Sequence, residues 1–125
     1  MYSVTVTETF IAQHYLTVPN PGPEGELHSH QFTMEATFEG EQLGEYGYLI
    51  DIDDVKAGLD AVRERYADET LNEQPAFEGR NPSVEHFSRI ACETLLEHVD
   101  PAAADRVRVR MWEDDDAAAG YETAL

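Results

Sequence analysis

Three of the chain's five histidines, His14, His28 and His30, fall within seventeen residues, in Phe10-Ile11-Ala12-Gln13-His14-Tyr15-Leu16 and Leu27-His28-Ser29-His30-Gln31-Phe32. In an extended chain successive side chains point to opposite faces, so His28 and His30 project the same way. Three neutral imidazoles meeting at one point would hold a zinc ion. They would leave a fourth tetrahedral position for water or substrate, the catalytic arrangement rather than the closed structural one. The plainer reading, a half-buried histidine satisfied by backbone groups, suits any one of them alone. An H-x-H pair with a third histidine on an adjoining strand, all on one face, favours the metal.

The flanking pattern supplies those strands. Before His14 the even positions Val4, Val6, Phe10 and Ala12 are apolar, with Glu8 the exception, while Ser3, Thr5, Thr7, Thr9 and Gln13 are polar, with Ile11 the exception. After His30, Phe32, Met34, Ala36 and Phe38 alternate with Gln31, Thr33, Glu35 and Thr37. Period-two alternation of this kind predicts strands over 2–16 and 28–39, joined by the breaker-rich loop 17–27. Paired as a hairpin, they carry all three histidines onto the core-facing side at one end of a sheet.

Residues 40–47 turn, and Tyr48-Leu49-Ile50 reads as a short extended piece. Val55, Leu59, Val62 and Tyr66 recur at helical spacing, with Asp51 or Asp53 as the cap. After a connection over 67–81, Asn81-Pro82 announces a second helix with proline at its first position, where the missing N–H costs nothing. Val84, Phe87, Ala91, Leu95 and Val99 form its buried stripe, with Cys92 as small filler beside it. Val107, Val109 and Met111 alternate with Arg106, Arg108 and Arg110 in a third strand. The acidic turn 113–116 then leads to a fourth strand at Tyr121-Glu122-Thr123-Ala124. The order β-β-α-α-β-β implies an α+β fold, a four-stranded antiparallel sheet with two helices on one face, in one domain over 1–125. Its open edges invite continuation into a second copy, hence a homo-oligomer.

Composition narrows the partners. The net charge is −18, from 26 acidic residues against seven arginines and Lys56. Such a surface repels nucleic acid and anionic lipid. Scattered acid with almost no lysine suits a salt-loving cytoplasm, where counter-ions screen the self-repulsion. The lone Cys92 excludes an internal disulfide and a cysteine metal cage. No apolar run is long enough to span a bilayer, and the first residues lack the pattern of a secretory signal, so the expected location is cytoplasmic.

In this order the motifs resemble the 6-pyruvoyl-tetrahydropterin and 6-carboxy-tetrahydropterin synthases. FxAxHxL, a loop and HxH come first, then Gly47-Tyr48-Leu49-Ile50-Asp51 with Val55-Lys56, and then Leu71-Asn72-Glu73. Asn81-Pro82-Ser83-Val84-Glu85, Val109-Arg110-Met111-Trp112-Glu113 and Tyr121 complete the likeness. The resemblance implies the tunnelling fold, a homo-oligomer (a hexamer) with active sites between subunits, and zinc on His14, His28 and His30. It also implies that a small-molecule pterin is bound by Glu113, with Ser83 and Glu85 as further substrate contacts. A carboxylate suits that role, because it accepts two parallel N–H bonds from the pterin's 2-amino group and ring nitrogen.

Two catalytic positions depart from the family pattern, and Ser29 in the middle of HxH is a milder change. The family's cysteine a few residues before HxH is missing, and Glu24 stands in the four-before register with Glu26 close behind. The family's catalytic histidine position, just before LN, is Asp68. A carboxylate shuttles protons when partial burial lifts its pKa toward neutrality. Glu24 or Glu26 is therefore the expected base and Asp68 a relay. The implied reaction is lyase chemistry on dihydroneopterin triphosphate, giving 6-carboxy- or 6-pyruvoyl-tetrahydropterin or 6-hydroxymethyl-dihydropterin. The competing reading is a paralogue that binds a pterin or purine without turnover.

Overall fold

The computed structural model describes all 125 residues. Two long strands, β1 (Tyr2–His14) and β2 (His28–Gly40), pair antiparallel in a register that sets His14 opposite His28 and Ala12 opposite His30. Two helices follow, α1 (Ile52–Tyr66) and α2 (Val84–Leu96), and then strands β3 (Arg106–Asp114) and β4 (Ala117–Ala124). The sheet runs β1-β2-β3-β4, antiparallel throughout. The expected β-β-α-α-β-β order and four-stranded sheet are thus present.

The core follows the alternation. Phe10 and Ala12 from β1, Phe32, Met34, Ala36 and Phe38 from β2, and Val107, Val109 and Met111 from β3 are all buried on the helix-covered face. Val55, Leu59, Val62 and Tyr66 of α1, and Phe87, Ala91, Cys92 and Leu95 of α2, close over them. Phe87 is the hub, edge-on to Phe32 at 5.2 Å, Tyr66 at 5.4 Å and Phe10 at 5.9 Å between ring centroids. Each such ring contributes about 2–3 kcal/mol by leaving water, and more through its edge-to-face contacts. Ile11, the odd apolar position on β1, is exposed on the opposite face.

Four local expectations are corrected. Tyr48–Ile50 is not extended; Gly47 takes φ +83°, and the segment bends back so that Gly44 N–H reaches the Tyr48 carbonyl at 2.9 Å. Pro82 lies outside α2, because Ser83 is the cap and its Oγ accepts from His86 N–H at 3.1 Å. A proline just before an extended cap residue fits as well as one just inside the helix. β1 stops at His14 rather than residue 16. At the other end Glu113 and Asp114 belong to β3, so the turn is only Asp115–Asp116 and β4 begins at Ala117. Of the two cap candidates for α1, Asp51 serves, accepting from Asp53 N–H at 2.8 Å.

Candidate metal centre

The hairpin register brings the three imidazoles together at the end of the sheet, with ring centroids 4.6, 4.9 and 5.2 Å apart. Phe32 lies beneath them, edge-on to His14 and His30. His14 is fully buried, while His28 and His30 are partly open. Two rings are oriented from behind. His14 Nδ1 donates to the Pro82 carbonyl at 3.0 Å and His28 Nδ1 to the Glu26 carbonyl at 2.7 Å. Donation at Nδ1 leaves Nε2 as a lone pair in the neutral ring.

Two carboxylates complete the cluster. Glu24 is presented by a short 3-10 turn, Gly22–Gly25, tied to the hairpin by Leu16 N–H donating to the Glu24 carbonyl at 2.9 Å. Pro21 packs so close over Gly25 that a Cβ there would lie 2.5 Å from its Cγ. The turn therefore needs a residue without a side chain. Glu113 sits at a bulge in β3, since Trp112 pairs with Ala118 and Asp114 with Ala117. A bulge leaves its residue unpaired and re-aims the side chain, here toward His30.

Glu113 Oε1 lies 2.8 Å from His30 Nε2 and 4.0 Å from His14 Nε2; Glu24 Oε2 lies 2.9 Å from His28 Nε2. One ligand atom from each of the five residues falls within 4.8 Å of all the others. All three Nε2 atoms are buried without a hydrogen-bond partner. Each short histidine–carboxylate contact is an ion pair only if its imidazole carries a second proton. Burial pushes the His14 imidazole below the ordinary histidine range, and positive charge on His28 or His30 would push the same way; the Pro82 carbonyl and Glu24 pull against them. Three adjacent imidazolium rings would repel, whereas one divalent cation satisfies the three converging Nε2 lone pairs at once and is charge-balanced by the two carboxylates beside it. Three imidazoles suit zinc, copper, iron or nickel, and three protein nitrogens with room for water suit catalytic zinc. The residues fit the ion.

The other residues singled out in the sequence contribute no side-chain ligand atom to this cluster. Glu26 joins the centre through its backbone carbonyl only, with an exposed side chain. Asp68 forms an exposed corner at φ +62°, its N–H bonded to the Ile11 carbonyl at 2.6 Å. Ser83 is occupied as a cap, and Glu85 is exposed in the first turn of α2. Three features went unread in the sequence: the Pro82 carbonyl behind His14, the bulge that turns Glu113, and the asparagines Asn72 and Asn81 that grip the chain after His14. A main-chain acceptor leaves no mark on residue type, but the asparagines stand in two of the motifs already quoted.

A family model described as 6-pyruvoyl tetrahydropterin synthase matches residues 3–124. Among curated proteins no sequence match is found. The fold is similar to the 6-pyruvoyl tetrahydropterin synthase of Caenorhabditis elegans, at 16% identity and TM-score 0.80, over 98% of this chain and 95% of that one. It is also similar to the Plasmodium falciparum enzyme, at 15% identity and TM-score 0.81, over 99% and 98%. A third similar structure is the Plasmodium vivax enzyme described as a catalytic-residue mutant, glutamate to alanine, at 15% identity and TM-score 0.82, over 99% and 98%. At these identities the structural likeness speaks for the fold, and the family match covers nearly every residue. The chain therefore belongs to the 6-pyruvoyl tetrahydropterin synthase family, pterin synthase-like lyases built on the tunnelling fold.

Proposed function

We propose that the chain is a zinc-dependent lyase acting on dihydroneopterin triphosphate, with carboxylates in place of the family's cysteine and histidine. One observation carries this reading: three buried Nε2 atoms converge with the Glu24 and Glu113 carboxylates within 4.8 Å. Zinc held by His14, His28 and His30 would polarise the substrate's side-chain hydroxyls. Glu24, alone among the loop acids in reaching the histidines, takes and returns the proton. Glu113 accepts the pterin's paired N–H groups, with Ser83 and Glu85 beyond it as further contacts and Asp68 as a second relay. Copies of the chain join through their open sheet edges into an oligomer, a hexamer on the family pattern. The product is 6-carboxy- or 6-pyruvoyl-tetrahydropterin or 6-hydroxymethyl-dihydropterin.

Mass spectrometry of the products tests this. Zinc-loaded protein in molar potassium chloride is incubated with dihydroneopterin triphosphate, with and without sulfite as reductant. Any of the three pterins is the expected result and names the pathway. Unchanged substrate, even if tightly bound, would overturn the enzymatic reading for this compound.

A further inference from the structure

We propose that Asn72 and Asn81 are positioning residues of the metal centre, holding the chain just beyond His14 so that its Nε2 meets those of His28 and His30. This rests on the metal reading given above. The outer edge of β1 is paired over its last residues by the segment after α1: Asp68 N–H donates to the Ile11 carbonyl at 2.6 Å, and Gln13 N–H to the Glu69 carbonyl at 2.9 Å. The next residue of that edge is Tyr15, but by then the partner chain has entered a 3-10 turn, Leu71–Glu73, and has no backbone to offer.

A side chain continues the ladder. The Asn72 carboxamide carries the same donor and acceptor as a peptide group. It accepts from Tyr15 N–H at 3.0 Å and donates through Nδ2 to the Tyr15 carbonyl at 2.8 Å. Turning the amide over would set donor against donor, so its orientation is fixed by its partner. Two residues on, Asn81 Oδ1 accepts from Thr17 N–H at 2.9 Å and from Thr17 Oγ1 at 3.3 Å. The following residue, Pro82, offers the carbonyl that holds His14 Nδ1. Asn81 therefore ties the carbonyl behind the ring to the chain that leaves the ring's strand, three residues beyond His14.

The two asparagines differ in what they must supply. Asn72 needs both a donor and an acceptor, while Asn81 only accepts. The same isosteric change, asparagine to aspartate, should disable the first and spare the second. Outer partners of metal ligands are typically worth about 10–100-fold in metal affinity. The test measures zinc affinity by competition with a chromophoric chelator, the visible spectrum of the cobalt(II)-substituted protein, and thermal unfolding of the metal-free protein. Asn72→Asp, Asn72→Ala and Asn81→Ala should each weaken zinc binding by about 10–100-fold and shift the cobalt spectrum. Asn81→Asp should stay within about threefold of the parent, since it keeps both contacts to Thr17. The aspartate pair, which leaves no cavity, carries the comparison even if an alanine variant fails to fold. Parent-like zinc affinity in Asn72→Asp, or equal losses in Asn81→Asp and Asn81→Ala, would overturn the proposal while leaving the metal reading intact. A parent protein that takes up no zinc would overturn both.

Discussion

Glu24 and Glu26 stand two residues apart in one acidic loop, yet only Glu24 turns its carboxylate to the histidines. Glu24→Gln should lower turnover by about 10²–10⁴-fold with pterin binding kept, the range for a general base. Glu26→Gln should stay within about threefold, because its carbonyl, not its side chain, holds His28. Rates for the two variants decide this, and equal losses would sink the assignment. His28→Ala should abolish stoichiometric zinc, read by elemental analysis after gel filtration. The histidine set was legible because strand alternation is a strict geometric rule. The choice between the glutamates was not, since it depends on the pitch of a four-residue 3-10 turn. Asp68 could be placed by resemblance, but its left-handed corner follows from the contact with Ile11, which no local pattern encodes.

Among the elements, the helix stripes and strand faces were readable because burial repeats at 3.6 and 2.0 residues. What escaped was decided by tertiary pairing: the bulge at Glu113, the full length of β4, and the bend at Tyr48–Ile50. Gly58 illustrates the same limit. Alanine is the better helix former, but a Cβ at Gly58 would lie 2.6 Å from Leu95 Cδ1 and 3.3 Å from the Leu95 carbonyl. Gly58→Ala should therefore destabilise the protein by about 1–3 kcal/mol, measured by urea unfolding. The exception in β1, Glu8, faces α1. Burial and a hydrogen bond with Asp60 raise its carboxyl to about 7, while Arg63, 3.7 Å away, pulls it down. A folded-state pKa above the unfolded 4.5 means that the native state holds the proton more tightly, so stability falls as pH rises from the unfolded value through 7. Glu8→Gln should match the parent near pH 4 and melt about 3–5 °C higher at pH 8. A difference independent of pH would contradict this.

At the scale of the molecule, a charge of −18 on 125 residues makes the compact state self-repelling at low ionic strength. Melting temperature should rise by more than about 5 °C between 0.1 and 2 M potassium chloride, and a flat profile would count against a salt-adapted surface. Light scattering in the same salt should find an oligomer, and a monomer at micromolar concentration would refute edge-to-edge assembly. None of the helices is long and apolar enough to cross a membrane. Fold and sheet order were legible because each element's pattern agreed with its neighbours. The candidate metal centre was only half legible, because its supports come from separate segments.

The strip of chain at 68–72 has a further consequence. It occupies the edge of β1 from Ile11 onward, which leaves Tyr2–Thr9 bare, a stretch of the same length as the eight-residue β4 at the opposite border of the sheet. If copies join through their sheet edges as proposed, lateral growth is confined to the end remote from the histidines, and every junction between copies carries the same offset. A sheet extended with a constant offset tilts its strands and curls, and closes on itself instead of running on as a flat ribbon. In such an assembly the segment that braces the histidine cluster would also set the shear, and with it the number of copies at which a ring would shut.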